Sequence, residues 1–200
     1  MSLFDWQGIP ESLLRIQYGH SNIDPSLEAL GEHSNESGNE DEVSEGDVDD
    51  RFEEDLLTLR DYSFVSIDTT SFEMHRLVQL ATRTRLEAHK QIENWRQKYI
   101  ISLYSEFPTG TYENWVKCRK LFPHVKAALA QQPEDVESQK EWCYTLYRAA
   151  NYACELGNFG DAETLAQKSL ERIRNVLGEE HKDTLRSMAM LGLIYRCRVR

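Results

Sequence analysis

No glycine in this chain of 200 residues is followed by lysine, so the phosphate-cradling Gly-x-x-x-x-Gly-Lys-Ser/Thr loop is absent, and nucleotide hydrolysis by this chain is not expected. His-Glu-x-x-His and Gly-x-Ser-x-Gly are missing too, and no cysteine stands at a spacing from His and an acid that singles out a nucleophile. The composition therefore points away from an enzyme. Apolar runs long enough to enter or cross a bilayer are lacking, and the first fourteen residues hold no Lys or Arg, as a secretory leader would require. A soluble, cytoplasmic chain with no membrane partner is expected. Cysteine is scarce: Cys118, Cys143, Cys154 and Cys197 form no Cys-x-x-Cys pair and have no His at metal-ligand spacing. Neither a disulfide framework nor a metal site is suggested, and reduced thiols within helices are the expectation.

What is present is enough for a real core, since 40% of the residues are apolar and 28% charged. The net charge of −11 is concentrated in one place. Between Glu28 and Asp55 thirteen acidic residues face one basic residue, Arg51, a local balance of −12 that leaves the rest of the chain at +1. Such a segment repels nucleic acid, and no basic stripe with interleaved aromatics compensates for it.

The chain divides into five segments. Residues 1–18 carry Leu3, Phe4, Trp6, Ile9, Leu13, Leu14 and Ile16, with a short buried helix expected from Pro10. Residues 19–51, rich in Ser, Asn, Gly, Glu and Asp, cannot offset the entropy of ordering and read as a disordered acidic insertion, either a solvated loop or an acidic docking tail. Residues 52–90 read as a helix from Phe52 to Arg60, a strand over Tyr62–Ile67, a turn at Asp68 and Thr69, a returning strand over Thr70–Met74, and a helix from His75 to Ala88 facing its core with Leu77, Leu80, Ala81 and Leu86. Helix, hairpin, helix is the order of a small winged-helix-like unit.

Residues 91–133 supply linking helices. Ile92, Trp95, Tyr99, Leu103 and Phe107 line one face, and Trp115, Cys118, Phe122, Val125 and Leu129 line another, which Pro123 either kinks or divides in two. Over 134–200, Trp142, Leu146, Ala149, Ala150, Ala153 and Leu156 form a helical face of small residues, broken at Gly157 and Asn158. Phe159, Ala162, Leu165, Ala166, Leu170, Ile173 and Leu177 form the facing one, ended by Gly178. A shift of 42 places Leu146 on Met188, Ala149 on Leu191, Ala150 on Gly192 and Ala153 on Tyr195, so a second copy begins. The fold class expected is mainly α, a winged-helix-like unit with a small β-hairpin followed by a helical array.

These positions resemble the tetratricopeptide pattern, whose usual period is about 34. Leu146, Ala149, Ala150, Ala153, Gly157, Phe159, Ala162, Ala166, Leu191, Gly192 and Tyr195 stand at its signature places. The stretch Leu177-Gly178-Glu179-Glu180-His181-Lys182-Asp183-Thr184-Leu185 resembles the linker of the kinesin-light-chain-like subclass, which implies a concave groove for an extended protein or peptide partner. Repeat arrays need roughly three or more units to bury a continuous core, so a chain with one and a half reads as a piece of a longer array.

Phe72-Glu73-Met74-His75-Arg76-Leu77-Val78-Gln79-Leu80-Ala81 resembles the Met-His-Asp region of NB-ARC proteins, the nucleotide switches that include fungal and plant NLR-like receptors, and Phe4 to Leu14 resembles the lead-in to their winged-helix part. The resemblance implies a fragment of a fungal NB-ARC and tetratricopeptide signalling protein of the STAND class, in which ADP or ATP belongs to a domain outside this chain and His75 would reach its phosphates. The motif's Asp is Arg76 here. A histidine that merely caps or packs at a strand–helix junction is the competing reading of His75. At the level of the whole chain the alternative is a winged-helix DNA-binding regulator with a helical dimerisation region.

Overall fold

A computed structural model describes residues 1–19, 45–69 and 71–198. Most of the disordered-insertion expectation, residues 20–44, lies outside the described residues, but its last part does not: residues 45–51 are already helical. The elements in order are β1 (Ile9–Pro10), α1 (Glu11–Gly19), α2 (Glu45–Asp61), β2 (Val65–Asp68), β3 (Ser71–Met74), α3 (Arg76–Ala88), α4 (Ile92–Glu106), α5 (Trp115–Ala128), α6 (Val136–Glu155), α7 (Phe159–Leu177) and α8 (Lys182–Arg198). The fold is mainly α with one small antiparallel sheet, as expected.

The hairpin forms with Val65 opposite Met74 and Asp68 opposite Ser71, closed where the Asp68 carboxylate accepts from the Thr69 amide and hydroxyl. β3 shows the period of a half-buried strand: Phe72 and Met74 are buried, Ser71 and Glu73 are not. A third strand was not foreseen. β1 pairs with β3, Ile9 opposite Phe72, giving the order β1-β3-β2. With only two residues it leaves no alternation to read, and its Pro10 sits at the sheet edge, where a missing N–H is tolerated.

The inward face of α3 is not the one that its apolar spacing predicts. Leu77 and Leu80 are 69% and 62% exposed and Ala81 is exposed, while Val78, Gln79, Arg83 and Leu86 turn inward. The cause is polar: Gln79 Nε2 donates to the carbonyls of Met1 and Phe4 and Arg83 Nε to that of Ser2, so the face of α3 that carries them turns to the backbone of the N-terminal segment, with Val78 packed on the core beside them. Trp95 is likewise 37% exposed, while Tyr99, Ile100 and Leu103 of the same helix are buried. Pro123 neither ends nor divides α5, which runs unbroken from Trp115 to Ala128.

One core joins the sheet unit to the helical array. Phe4 packs edge-on against Tyr99 at 4.5 Å and His124 at 5.8 Å, Tyr99 Oη donates to the His124 carbonyl at 2.6 Å, and Trp142 Nε1 donates to the Ala128 carbonyl at 2.7 Å. Helices α6 and α7 form the expected antiparallel pair, Ser169 Oγ donating to the Cys143 carbonyl at 2.8 Å across it. Gly178 ends α7 with φ +90°, the left-handed region expected of its cap, and Thr184 of α8 donates back to its carbonyl at 2.7 Å.

Candidate interaction surfaces

The signature positions of the repeat prove to be packing residues. Leu146, Ala149, Ala150, Ala153, Ala162 and Ala166 are all buried, where their small side chains let α6 and α7 approach; Phe159 is half-buried at the start of α7. Gly157 turns the chain between the two helices with φ +74°. In α8, Leu191 is half-buried, Gly192 is exposed with open space where a Cβ would stand, and Tyr195 is 42% exposed, its hydroxyl accepting from Gln167 of α7 at 3.0 Å. The buried ones among them build the pair and offer nothing to a partner, whereas Gly157, Gly192 and Tyr195 lie at the surface.

The surface itself is carried by residues that periodicity of apolar side chains does not reveal. α6 and α8 both run antiparallel to α7, so they lie parallel to one another, and side chains from them and from α4 meet in a strip. Arg148 Nη1 donates to the carbonyls of Tyr104 at 2.9 Å and Phe107 at 3.1 Å, closing the C-terminal end of α4, and its guanidinium lies 4.6 Å from the Tyr104 ring. Tyr104 packs on Tyr144, whose hydroxyl donates to Asp183 of α8 at 2.8 Å. Burial, and then the Asp183 carboxylate, push the Tyr144 phenol up to about 12. Next along the strip the Arg186 guanidinium sits 5.5 Å over the Tyr147 ring. Tyr144, Tyr147, Arg148 and Asn151 recur three or four residues apart, and that was the available signal: a half-exposed polar and aromatic face opposite the buried alanines.

His75 lies away from this strip, at the junction of β3 and α3. Its Nδ1 accepts from the Leu77 amide at 3.2 Å and so caps α3. A ring nitrogen that accepts carries no proton, so in the neutral ring the proton is on Nε2, which is left as a donor. An open cleft of about 950 Å³ adjoins it, lined among others by Trp6, Arg60, Phe64, Ile67 and Arg76, with the Arg76 guanidinium 4.8 Å over the Trp6 ring. Capping, one of the two readings of His75, is therefore present in the geometry, and the same ring retains a free donor. Among the described residues no group of His, Cys, Asp and Glu could hold a metal ion, and no helix is long and apolar enough to cross a membrane.

Comparisons with known proteins fall on the same segments. Residues 143–198 match the family model described as tetratricopeptide repeat, which takes in α6 from Cys143 onward and all of α7 and α8. A protein described as a nucleotide-binding leucine-rich repeat (NLR)-like protein, from Hyaloscypha variabilis, is 32% identical over 133 residues, covering 66% of this chain. The chain spans only 13% of that relative's length. No solved structure matches. This chain is thus similar to a fungal NLR-like protein and carries a tetratricopeptide repeat in its C-terminal third.

Proposed function

We propose that this chain is a non-enzymatic protein-interaction module of a larger, cytoplasmic NLR-like signalling protein, and that it holds an extended peptide or protein segment along the strip on α4, α6 and α8. The observation that carries the reading is the strip: Tyr144, Tyr147 and Arg186 of the repeat segment, with Tyr104 of α4 beside them, bring aromatic rings and a cation together at partly exposed positions. Such residues contribute most where proteins bind one another. In this reading residues 1–18 and 52–90 form the winged-helix-like unit, 91–133 the linking helices and 134–200 the repeats.

In this reading the winged-helix-like unit packs on a nucleotide-binding domain of the longer protein. The exposed Leu77, Leu80 and Ala81 of α3 would lie against it, and His75 Nε2, beside the N-terminus of α3, would donate to a phosphate of ADP or ATP held there. This chain would bind no nucleotide by itself. Direct binding to duplex DNA, the alternative, draws no support from the charge distribution, because thirteen of the acidic residues precede the hairpin in one segment.

The test is selection of a displayed random-peptide library on the purified full chain, followed by amide hydrogen exchange with an enriched peptide bound. Enriched sequences that slow exchange along α4, α6 and α8 support the proposal. Failure of any sequence to enrich, or slowed exchange confined to α1, α2 and the sheet, overturns it.

A further inference from the structure

The four cysteines are not equivalent in the fold. Cys118 and Cys143 are buried within the core. Cys154 and Cys197 are each partly exposed, and each lies near the C-terminal end of its helix, α6 and α8. Because these two helices are parallel and touch, their C-terminal ends lie at the same end of the repeat. The two thiols come close enough there to act on one another. Cys154 continues the spacing of Tyr144, Tyr147 and Asn151 along α6, and Cys197 that of Arg186 and Leu193 along α8, so the pair closes the far end of the seam whose other contacts are Tyr144 with Asp183 and Tyr147 with Arg186.

We infer that Cys154 and Cys197 form a redox-sensitive dithiol that a hydroperoxide converts to an intramolecular disulfide, fastening α8 to α6. In the first step one thiol, as its thiolate, attacks a peroxide oxygen; the O–O bond breaks, the sulfur becomes a sulfenic acid, and the leaving oxygen takes up a proton as water. In the second step the other thiolate attacks that sulfur, the S–S bond forms, the S–O bond breaks and a second water leaves. Two thiols and one hydrogen peroxide give one disulfide and two waters. Burial above all, then the nearby Cys197 and Glu155, push the Cys154 thiol up, which disfavours Cys154 as the first attacker. Arg196 and Arg198 flank Cys197 in sequence. The fastening would set the spacing of α6 and α8 at one end of the strip, a consequence that rests on the peptide-binding reading; the bond itself does not.

The experiment treats the reduced full chain with hydrogen peroxide and follows intact mass, thiol alkylation and thermal unfolding. The expected product has lost two hydrogens, retains two alkylatable cysteines after unfolding, and yields a crosslinked peptide joining residues 154 and 197. Its midpoint rises by roughly 5 to 10 °C, as closing a loop of this length implies. Cys197→Ser abolishes the mass change, and Cys154→Ser leaves a sulfenic acid at Cys197 that a dimedone-type reagent captures. Sulfinic acid at either position with no loss of hydrogens, or a disulfide that only joins two chains, overturns the inference. Since the wild-type mass is decisive alone, poor folding of a variant does not rescue it.

Discussion

The imidazole of His124, in the middle of α5, is hydrogen-bonded through Nε2 to the carbonyl oxygen of Gly8, 3.1 Å away. Gly8 precedes β1, so this bond ties the sheet unit to the helical array, and it does so inside the core, where His124 is fully buried. A carbonyl can only accept, so Nε2 carries the proton, and Nδ1 is left buried with no partner.

Replacing His124 with Ala should destabilise the chain by about 2 to 4 kcal/mol, through the unpaired Gly8 carbonyl and the cavity left beside Phe4. Urea denaturation measures the loss. A change below about 0.5 kcal/mol would show that the Gly8 bond is not holding the two parts together.

Stability should also fall in mild acid. Burial, the largest cause, lowers the His124 pKa below its usual 6.5, so in the folded chain the ring stays neutral where the unfolded chain has already taken up a proton. The unfolded state then binds more protons, and the stabilisation present above pH 6.5 is lost as pH falls through that value towards the folded one. Comparing urea midpoints at about pH 7.5 and about pH 5 for the wild type and His124→Asn isolates this residue, because the carboxylates are common to both. Equal pH dependence in the two proteins would contradict the assignment.

Two glycines should respond in opposite directions to alanine. At Gly110 a Cβ would stand 2.7 Å from the backbone nitrogen of Tyr152 and 2.9 Å from its Cα, and the α6 backbone cannot give way as a side-chain tip could. Gly110→Ala should therefore cost about 1 to 3 kcal/mol. At Gly192, inside α8, a Cβ meets nothing within 4 Å, and Gly192→Ala should stabilise by about 0.5 to 1 kcal/mol through helix propensity. Thermal midpoints that move the same way in both variants would contradict the packing described.

These sites show which physical signals a sequence transmits. The antiparallel pair α6 and α7 was legible because its buried face repeats at helical spacing and its ends carry Gly157 and Gly178, whose left-handed backbone few other residues adopt. The hairpin was legible from its alternation. The outward face of α3 was not, since Leu77, Leu80 and Ala81 have the spacing of a core face. What turns them out is the hydrogen bonding of Gln79 and Arg83 to carbonyls some eighty residues earlier, and such backbone partners leave no mark in side-chain pattern. For the candidate strip the signature residues pointed to α6 and α8 but, in α6, to the buried side, and the polar and aromatic residues opposite pass for ordinary solvated surface until α4, α6 and α8 are brought together.

His75 offers a way to separate capping from any phosphate contact. Asp is a preferred N-cap, so His75→Asp should keep α3 intact and leave the thermal midpoint unchanged or slightly raised, while removing the Nε2 donor. A clear loss of stability would mean that the imidazole does more than cap. Titration calorimetry of the wild-type chain with ADP should show no heat of binding, and a measurable affinity would contradict the view that nucleotide is held by a domain outside this chain.

The strip is the surface on which the proposed interaction depends, and the affinity of a library-selected peptide for strip variants tests it most directly. Fluorescence anisotropy with the full chain should show binding weakened at least tenfold by Tyr147→Ala combined with Arg186→Glu, a loss of about 1.4 kcal/mol or more, and left unchanged by Leu80→Ser on the exposed face of α3. Unchanged affinity in the strip variant with loss in Leu80→Ser would place the interaction surface on α3 and contradict the claim.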